Sequence, residues 1–146
     1  MDKPKCGFIT EEIREKNKRK GFYITTPSGK QGILAHFDFK SKFKVGKYGV
    51  DVNILDKLSV EEIEKGLKEN KIIILDEIGK MELFSRKFKI AVEKALDSEN
   101  SLVATITLSP LPFVNKIKHR DDVKLFSLNR KNQDELLETL LSQLSK

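Results

Sequence analysis

The chain has 146 residues, 38% hydrophobic and 34% charged, with a net charge of +6; this length supports one domain with one core. A single cysteine, Cys6, excludes an intramolecular disulfide framework and points to a cytoplasmic protein, while no apolar run approaches the roughly 20 residues that a membrane helix needs. The positive balance suits an anionic partner, either nucleotide phosphate or nucleic acid, and equally a solvated lysine-rich surface.

In chain order, Gly7–Thr10 opens a strand, the charged run Arg14–Lys20 closed by Gly21 reads as a hairpin loop, and Phe22–Thr26 is the return strand. Pro27–Lys30 has turn composition, and Gly32–Phe37 forms a third strand. The cations of the hairpin, Arg14, Lys16, Lys18, Arg19 and Lys20, can neutralise phosphates. No aromatic RNA-binding signature accompanies them, so a solvated hairpin tip is preferred. Gly46 and Gly49 flank Lys47-Tyr48 and mark a bend or a close backbone approach. Ser59 with Glu62 reads as a capping box opening a helix through Val60, Ile63 and Leu67.

Next comes Ile72-Ile-Ile-Leu-Asp-Glu-Ile-Gly-Lys-Met-Glu-Leu83. Its short isoleucine-rich run predicts a strand buried on both faces. Asp76 and Glu77 then fall at the carboxyl end, where open α/β sheets place their ligands. An aspartate there can hold Mg²⁺ at phosphates, and a glutamate beside it can take a proton from an attacking water. The alternative is a core strand followed by a polar turn. Phe84, Phe88, Ala91, Val92, Ala95 and Leu96 predict a helix with one apolar face. Leu102–Ile106 reads as another core strand, Phe113, Val114 and Ile117 as a short helix, and Val123–Leu128 as a last strand. Leu136, Leu137, Leu140, Leu141 and Leu144 line a closing helix. From residue 59 the alternation of helix and strand predicts a mostly parallel sheet with helices on both faces, extended by antiparallel strands near the N-terminus. The histidines, His36 and His119, form no metal-binding spacing with Cys6.

Three segments together resemble the P-loop nucleoside-triphosphatases of the thermophilic (THEP) type, to which the human cancer-related nucleoside-triphosphatase is related. They are Gly7-Phe8-Ile9-Thr10-Glu11-Glu12-Ile13-Arg14, Val45-Gly46-Lys47-Tyr48-Gly49-Val50 and Asp76-Glu77-Ile78-Gly79-Lys80-Met81-Glu82-Leu83. The last is the most specific, and Val123–Leu136 resembles the family's tail. The resemblance implies hydrolysis of ATP, GTP and other nucleoside triphosphates with Mg²⁺. It places Asp76 on the metal through water and Glu77 on the attacking water. Lys80 and Glu82 either reach the nucleotide or serve the start of a helix or a salt bridge. Lys47 and Tyr48 either border the nucleotide or pack a turn. Asn132 is placed at the nucleotide, with Gln133 where the family carries arginine and Arg130 close by.

One family feature is not found. Gly29, Gly46 and Gly79 precede lysines, but the residues five positions earlier are Ile24, Ser41 and Ile74, so no Gly-x-x-x-x-Gly-Lys-Ser/Thr loop occurs. The expectation is a single nucleoside-triphosphatase-like domain, residues 1–146, without its first strand, Walker A loop and helix. Two other readings follow: a short, inactive family member acting as an interaction module, and a nucleic-acid-binding protein. Oligomeric state is not legible.

Overall fold

The computed structural model describes residues 4–129 and 131–144. It divides into two units, residues 4–107 and the chain from residue 108 onward, and each is taken by itself.

The first unit is built on a seven-stranded sheet: β1 (Lys5–Glu15), β2 (Lys18–Thr25), β3 (Gln31–His36), β4 (Lys44–Val45), β5 (Tyr48–Val50), β6 (Ile72–Ile78) and β7 (Leu102–Ile106), in the order β4-β5-β3-β2-β1-β6-β7. β1 has two kinds of neighbour. Lys5–Phe8 runs parallel to Ile72–Leu75 of β6, whereas Ile9–Glu15 pairs antiparallel with β2. β6 and β7 are also parallel. The remaining pairings are antiparallel. The sheet is therefore mixed rather than mostly parallel. The charged run taken for a loop is largely strand: β1 continues to Glu15 and β2 resumes at Lys18. Only Lys16 (φ 50) and Asn17 (φ 65) turn the corner, as a two-residue hairpin with both φ values positive requires.

Isoleucine packing makes the parallel part dry. Ile72, Ile73 and Leu75 are fully buried, together with Cys6 and Phe8. Gly7 has φ +107, and a Cβ there would collide with the Ile74 carbonyl oxygen, so glycine is what permits this approach of β1 to β6. Gly46 (φ +58) turns the β4–β5 hairpin, and Gly49 lies against the backbone of Phe39.

The helices are α1 (Val52–Leu55), a π-helical stretch over Asp56–Val60, α2 (Glu61–Glu69) and α3 (Arg86–Asp97). The capping box at Ser59 does not form. Asp51 caps the helix instead, accepting the Ile54 N–H at 3.1 Å, and Ser59 Oγ donates back to the Leu55 carbonyl at 2.6 Å. The turn starts eight residues earlier because Asp51 follows directly on β5. Ile54 and Leu58 lie over Gly32, Gly66 of α2 presses on Cys6, and Phe88 of α3 meets Phe8 edge-on at 5.9 Å. All helices of this unit thus share one face of the sheet, and two-sided cover is not seen within it. On the opposite face Ile9 and Ile33 are 42% and 37% exposed. β7, expected as core, is half-buried, because a strand at the end of the order has one neighbour only.

The second unit contains α4 (Pro112–Lys118), with proline in its first turn, and α5 (Gln133–Leu144). Val114 and Ile117 are buried, as expected of the short helix. Val123–Leu128 is not a strand. No described backbone pairs with it as a ladder, and Leu125, Phe126 and Leu128 are about half exposed. The closing helix forms, but Leu137 is 42% exposed and Leu136 and Leu140 are half-buried. The side chains of Leu141 and Leu144 lie outside the described residues, as does Arg130.

Candidate active site

The parallel strand β6 carries Asp76 and Glu77 to its carboxyl end. There the register with β7 shifts between Leu75, opposite Ala104, and Ile78, opposite Ile106. An extra residue in one strand frees its neighbours from the ladder and re-aims them, as bulges beside active sites do. The Asp76–Glu77 peptide bond is cis. Thr105 Oγ1 donates to Asp76 Oδ1 at 2.7 Å and fixes one carboxylate oxygen, leaving the other for a metal-bound water. Sequence reading missed this threonine. Its signal is the hydroxyl in an otherwise apolar Leu-Val-Ala-Thr-Ile strand, one residue beyond the Leu75–Ala104 pair.

Glu77 is exposed as a residue. Even so, loss of solvent around its carboxyl, and secondly the Asp76 charge, hold it above the ordinary glutamate value. Its carboxylate folds over Gly79: a Cβ on that glycine would stand 2.6 Å from Glu77 Oε1. The Gly79 N–H in turn donates to Glu82 Oε1 at 3.1 Å, and the Leu83 N–H donates to the Gly79 carbonyl at 3.0 Å. Glu82 is 3% exposed. Burial first, with the charges of Glu77 and Asp76 adding to it, pushes Glu82 up to about 8. Ser85 closes the turn. Its Oγ accepts the Phe88 N–H at 3.0 Å, capping α3, and donates to Asp56 of the π-helical stretch.

The structure thus brings Asp76, Glu77 and Glu82 around one glycine. Lys80 is exposed beside them, and none of the ion pairs formed among the described residues involves it. The salt-bridge alternative for Lys80 is not realised. Asn132 belongs to the second unit, where its Oδ1 accepts the Asn129 N–H and its Nδ2 donates to the Ser127 carbonyl. Tyr48 is 6% exposed and takes the Arg19 Nε–H on its hydroxyl at 3.0 Å, the packing alternative for that residue. The hairpin cations are partly committed to local contacts: Arg14 and Arg19 flank Glu12 at 3.1 and 3.5 Å, and Lys20 sits over the Phe37 ring. An open depression of about 490 Å³ between β3 and α1 is lined by Phe39, Lys40, Lys42, Phe43 and Asn53, among others, and includes none of the three carboxylates.

Among the described residues no group of three His, Cys, Asp or Glu side chains converges as a metal cage. A single aspartate fits Mg²⁺ nonetheless, because that ion keeps several waters and is commonly held by one or two carboxylates plus substrate phosphates. No helix among the described residues is long and apolar enough to cross a membrane.

A family model described as NTPase matches residues 2–141. The chain is 53% identical over 138 residues to the nucleoside-triphosphatase THEP1 of Thermotoga sp. (strain RQ2), a match covering 94% of this chain and 79% of that protein. It is 34% identical to the cancer-related nucleoside-triphosphatase homolog of Bos taurus, over 95% of this chain and 80% of the relative. The crystal structure of THEP1 from the hyperthermophile Aquifex aeolicus superposes with a TM-score of 0.86 at 39% identity, covering 97% of this chain and 84% of the other.

Proposed function

The chain belongs to the NTPase family, and we propose that, as one domain spanning residues 1–146, it hydrolyses nucleoside triphosphates, ATP and GTP among them, to diphosphate and phosphate. The observation that carries the reading is the pair Asp76–Glu77, lifted out of the ladder at the end of a buried parallel strand, with Thr105 holding Asp76. Asp76 holds Mg²⁺ through water. Bound there, Mg²⁺ would neutralise charge on the phosphate oxygens. Glu77 accepts the proton of the attacking water. A carboxylate held above its ordinary value is a better base than a free one, and a positioned general base contributes about 10²- to 10⁴-fold.

Lys80, exposed past the strand end, is assigned to the nucleotide as a mobile cation. Asn132 is assigned there on resemblance alone, since both ends of its amide are already bonded in its own loop. The residues described here supply the metal and water side of the reaction. The 146 residues contain no Gly-x-x-x-x-Gly-Lys-Ser/Thr spacing for the phosphate side.

Phosphate release from ATP and GTP, with and without Mg²⁺, tests the reading. Glu77→Gln should lower the metal-dependent rate by about 100-fold or more. A Glu77→Gln chain as fast as the unmodified one would sink it.

A further inference from the structure

We infer that Glu82 is a positioning residue for Glu77: its buried carboxyl accepts the Gly79 N–H and so holds in place the turn over which the Glu77 carboxylate lies. The inference rests on the hydrolytic reading of Glu77. Two independent distances meet at Gly79. The Gly79 N–H is 3.1 Å from Glu82 Oε1, and its Cα face is covered so closely by Glu77 that a Cβ would come within 2.6 Å of Glu77 Oε1. The glycine is therefore a spacer with one carboxyl behind it and another in front.

The plainer role is half of a capping box, in which a glutamate reaches back three residues to the N–H at a helix start. The spacing from Gly79 to Glu82 has that form, and the Leu83 N–H to Gly79 carbonyl bond completes the turn. A capping glutamate gains most where it stays in water as an anion. Glu82 is 3% exposed and lies near two other carboxylates, where burying a charge is costly. A serine or glutamine could cap without that cost in like-charge repulsion. What a carboxyl keeps under these conditions, ionised or neutral, is an acceptor oxygen aimed at one amide. That shared feature leads to a specific expectation. Glutamine, which has the shape of the neutral acid and the same acceptor, should serve in its place, and leucine should not.

The experiment compares Glu82→Gln and Glu82→Leu in the full chain. Metal-dependent phosphate release should fall about 10- to 100-fold in kcat for Leu, with KM within about 3-fold of the unmodified chain, because misplacing a reacting group affects the chemical step. Glu82→Gln should restore kcat to within about 3-fold. A cap with no catalytic consequence would instead lower the melting temperature of the Leu variant and leave kcat unchanged, overturning the inference. Equal loss in Gln and Leu would overturn it too, since charge and not the acceptor would then matter. Carboxyl-¹³C resonances and amide exchange give a second measurement that needs no turnover. In the unmodified chain and in Gln, the Gly79 amide should be protected and the Glu77 carboxyl resonance unmoved. An unprotected Gly79 amide overturns the inference even if Leu does not fold. If the unmodified chain releases no phosphate above background while these resonances behave as expected, the hydrolytic reading fails and the positioning contact stands.

Discussion

Residues 5–8 and 9–15 of β1 belong to one strand and to two different solvents. In the first stretch Cys6 and Phe8 are fully buried beside the isoleucines of β6, and no side chain offers a charge to the interior. In the second, Glu11, Glu12, Arg14 and Glu15 are exposed, and the contacts are ion pairs and cations over rings. The dry part holds few polar groups, and each is bonded at a defined point: Thr105 to Asp76, Gly79 to Glu82. The wet part holds many, most of them exchangeable with water. A carboxylate at the end of the dry part feels its neighbours strongly, because field lines there run through protein. The same carboxylate on the hairpin would be screened within about 10 Å. This is why perturbed acids gather at Glu77 and Glu82 and not along Glu11, Glu12 and Glu15.

The contrast is broken most severely at the seam itself. Gly7→Ala should destabilise the fold by about 4 kcal/mol, or prevent folding, since it combines a forbidden φ with a collision against the Ile74 backbone; urea unfolding followed by far-UV dichroism measures it. Next in size is a pH effect. Folded Glu82 keeps its proton up to about 8, whereas the unfolded chain releases it near the ordinary glutamate value, about 4.3. The native state therefore binds more protons between these values. Stability should fall as pH rises from about 5 to 8, by on the order of 3 kcal/mol, and level off above. Thermal midpoints across that range should show the slope, and Glu82→Gln should flatten it. Thr105→Val removes one hydrogen bond to an anion. It should lower metal-dependent turnover about 10-fold and raise the Mg²⁺ concentration needed for half-maximal rate. At the small end, Arg19→Met on the hairpin takes away its contacts to Tyr48 and Glu12, which lie at a surface where pairs contribute little. The cost should be about 0.5 kcal/mol or less and should shrink further in salt. A loss as large as that of Gly7→Ala would erase the distinction between the two halves.

The same division decides what could be read before the fold was seen. The seam was legible: four apolar residues ended by Asp76-Glu77 have few other places to go, and Phe88, Ala91, Val92 and Ala95 repeat at helical spacing over it. The hairpin was not, since a two-stranded ribbon projecting into water has polar residues on both faces, and Arg14 and Lys18–Lys20 therefore look like loop. Ser59 and Glu62 satisfied a local capping pattern, yet Asp51 started the helix first and left Ser59 to bond within it. Val123–Leu128 has strand composition, but a strand is a relation between two backbones, which composition cannot supply. In the site, Asp76 and Glu77 stood out by position. Thr105 and the burial of Glu82 did not, because both depend on which strand lies next to β6 and on how the turn after it folds back.

Cys6 adds one consequence of the contact between β1 and α2. It is the single thiol of the 146 residues, fully buried against Gly66, and burial, with Glu62 adding to it, pushes it up to about 11. Thiols alkylate as thiolates, so in the closed fold Cys6 offers an electrophile neither access nor charge. Each alkylation event must then record a moment when α2 has lifted from the sheet. The rate at which iodoacetamide consumes the thiol is a clock of seam opening that the chain carries without any added label.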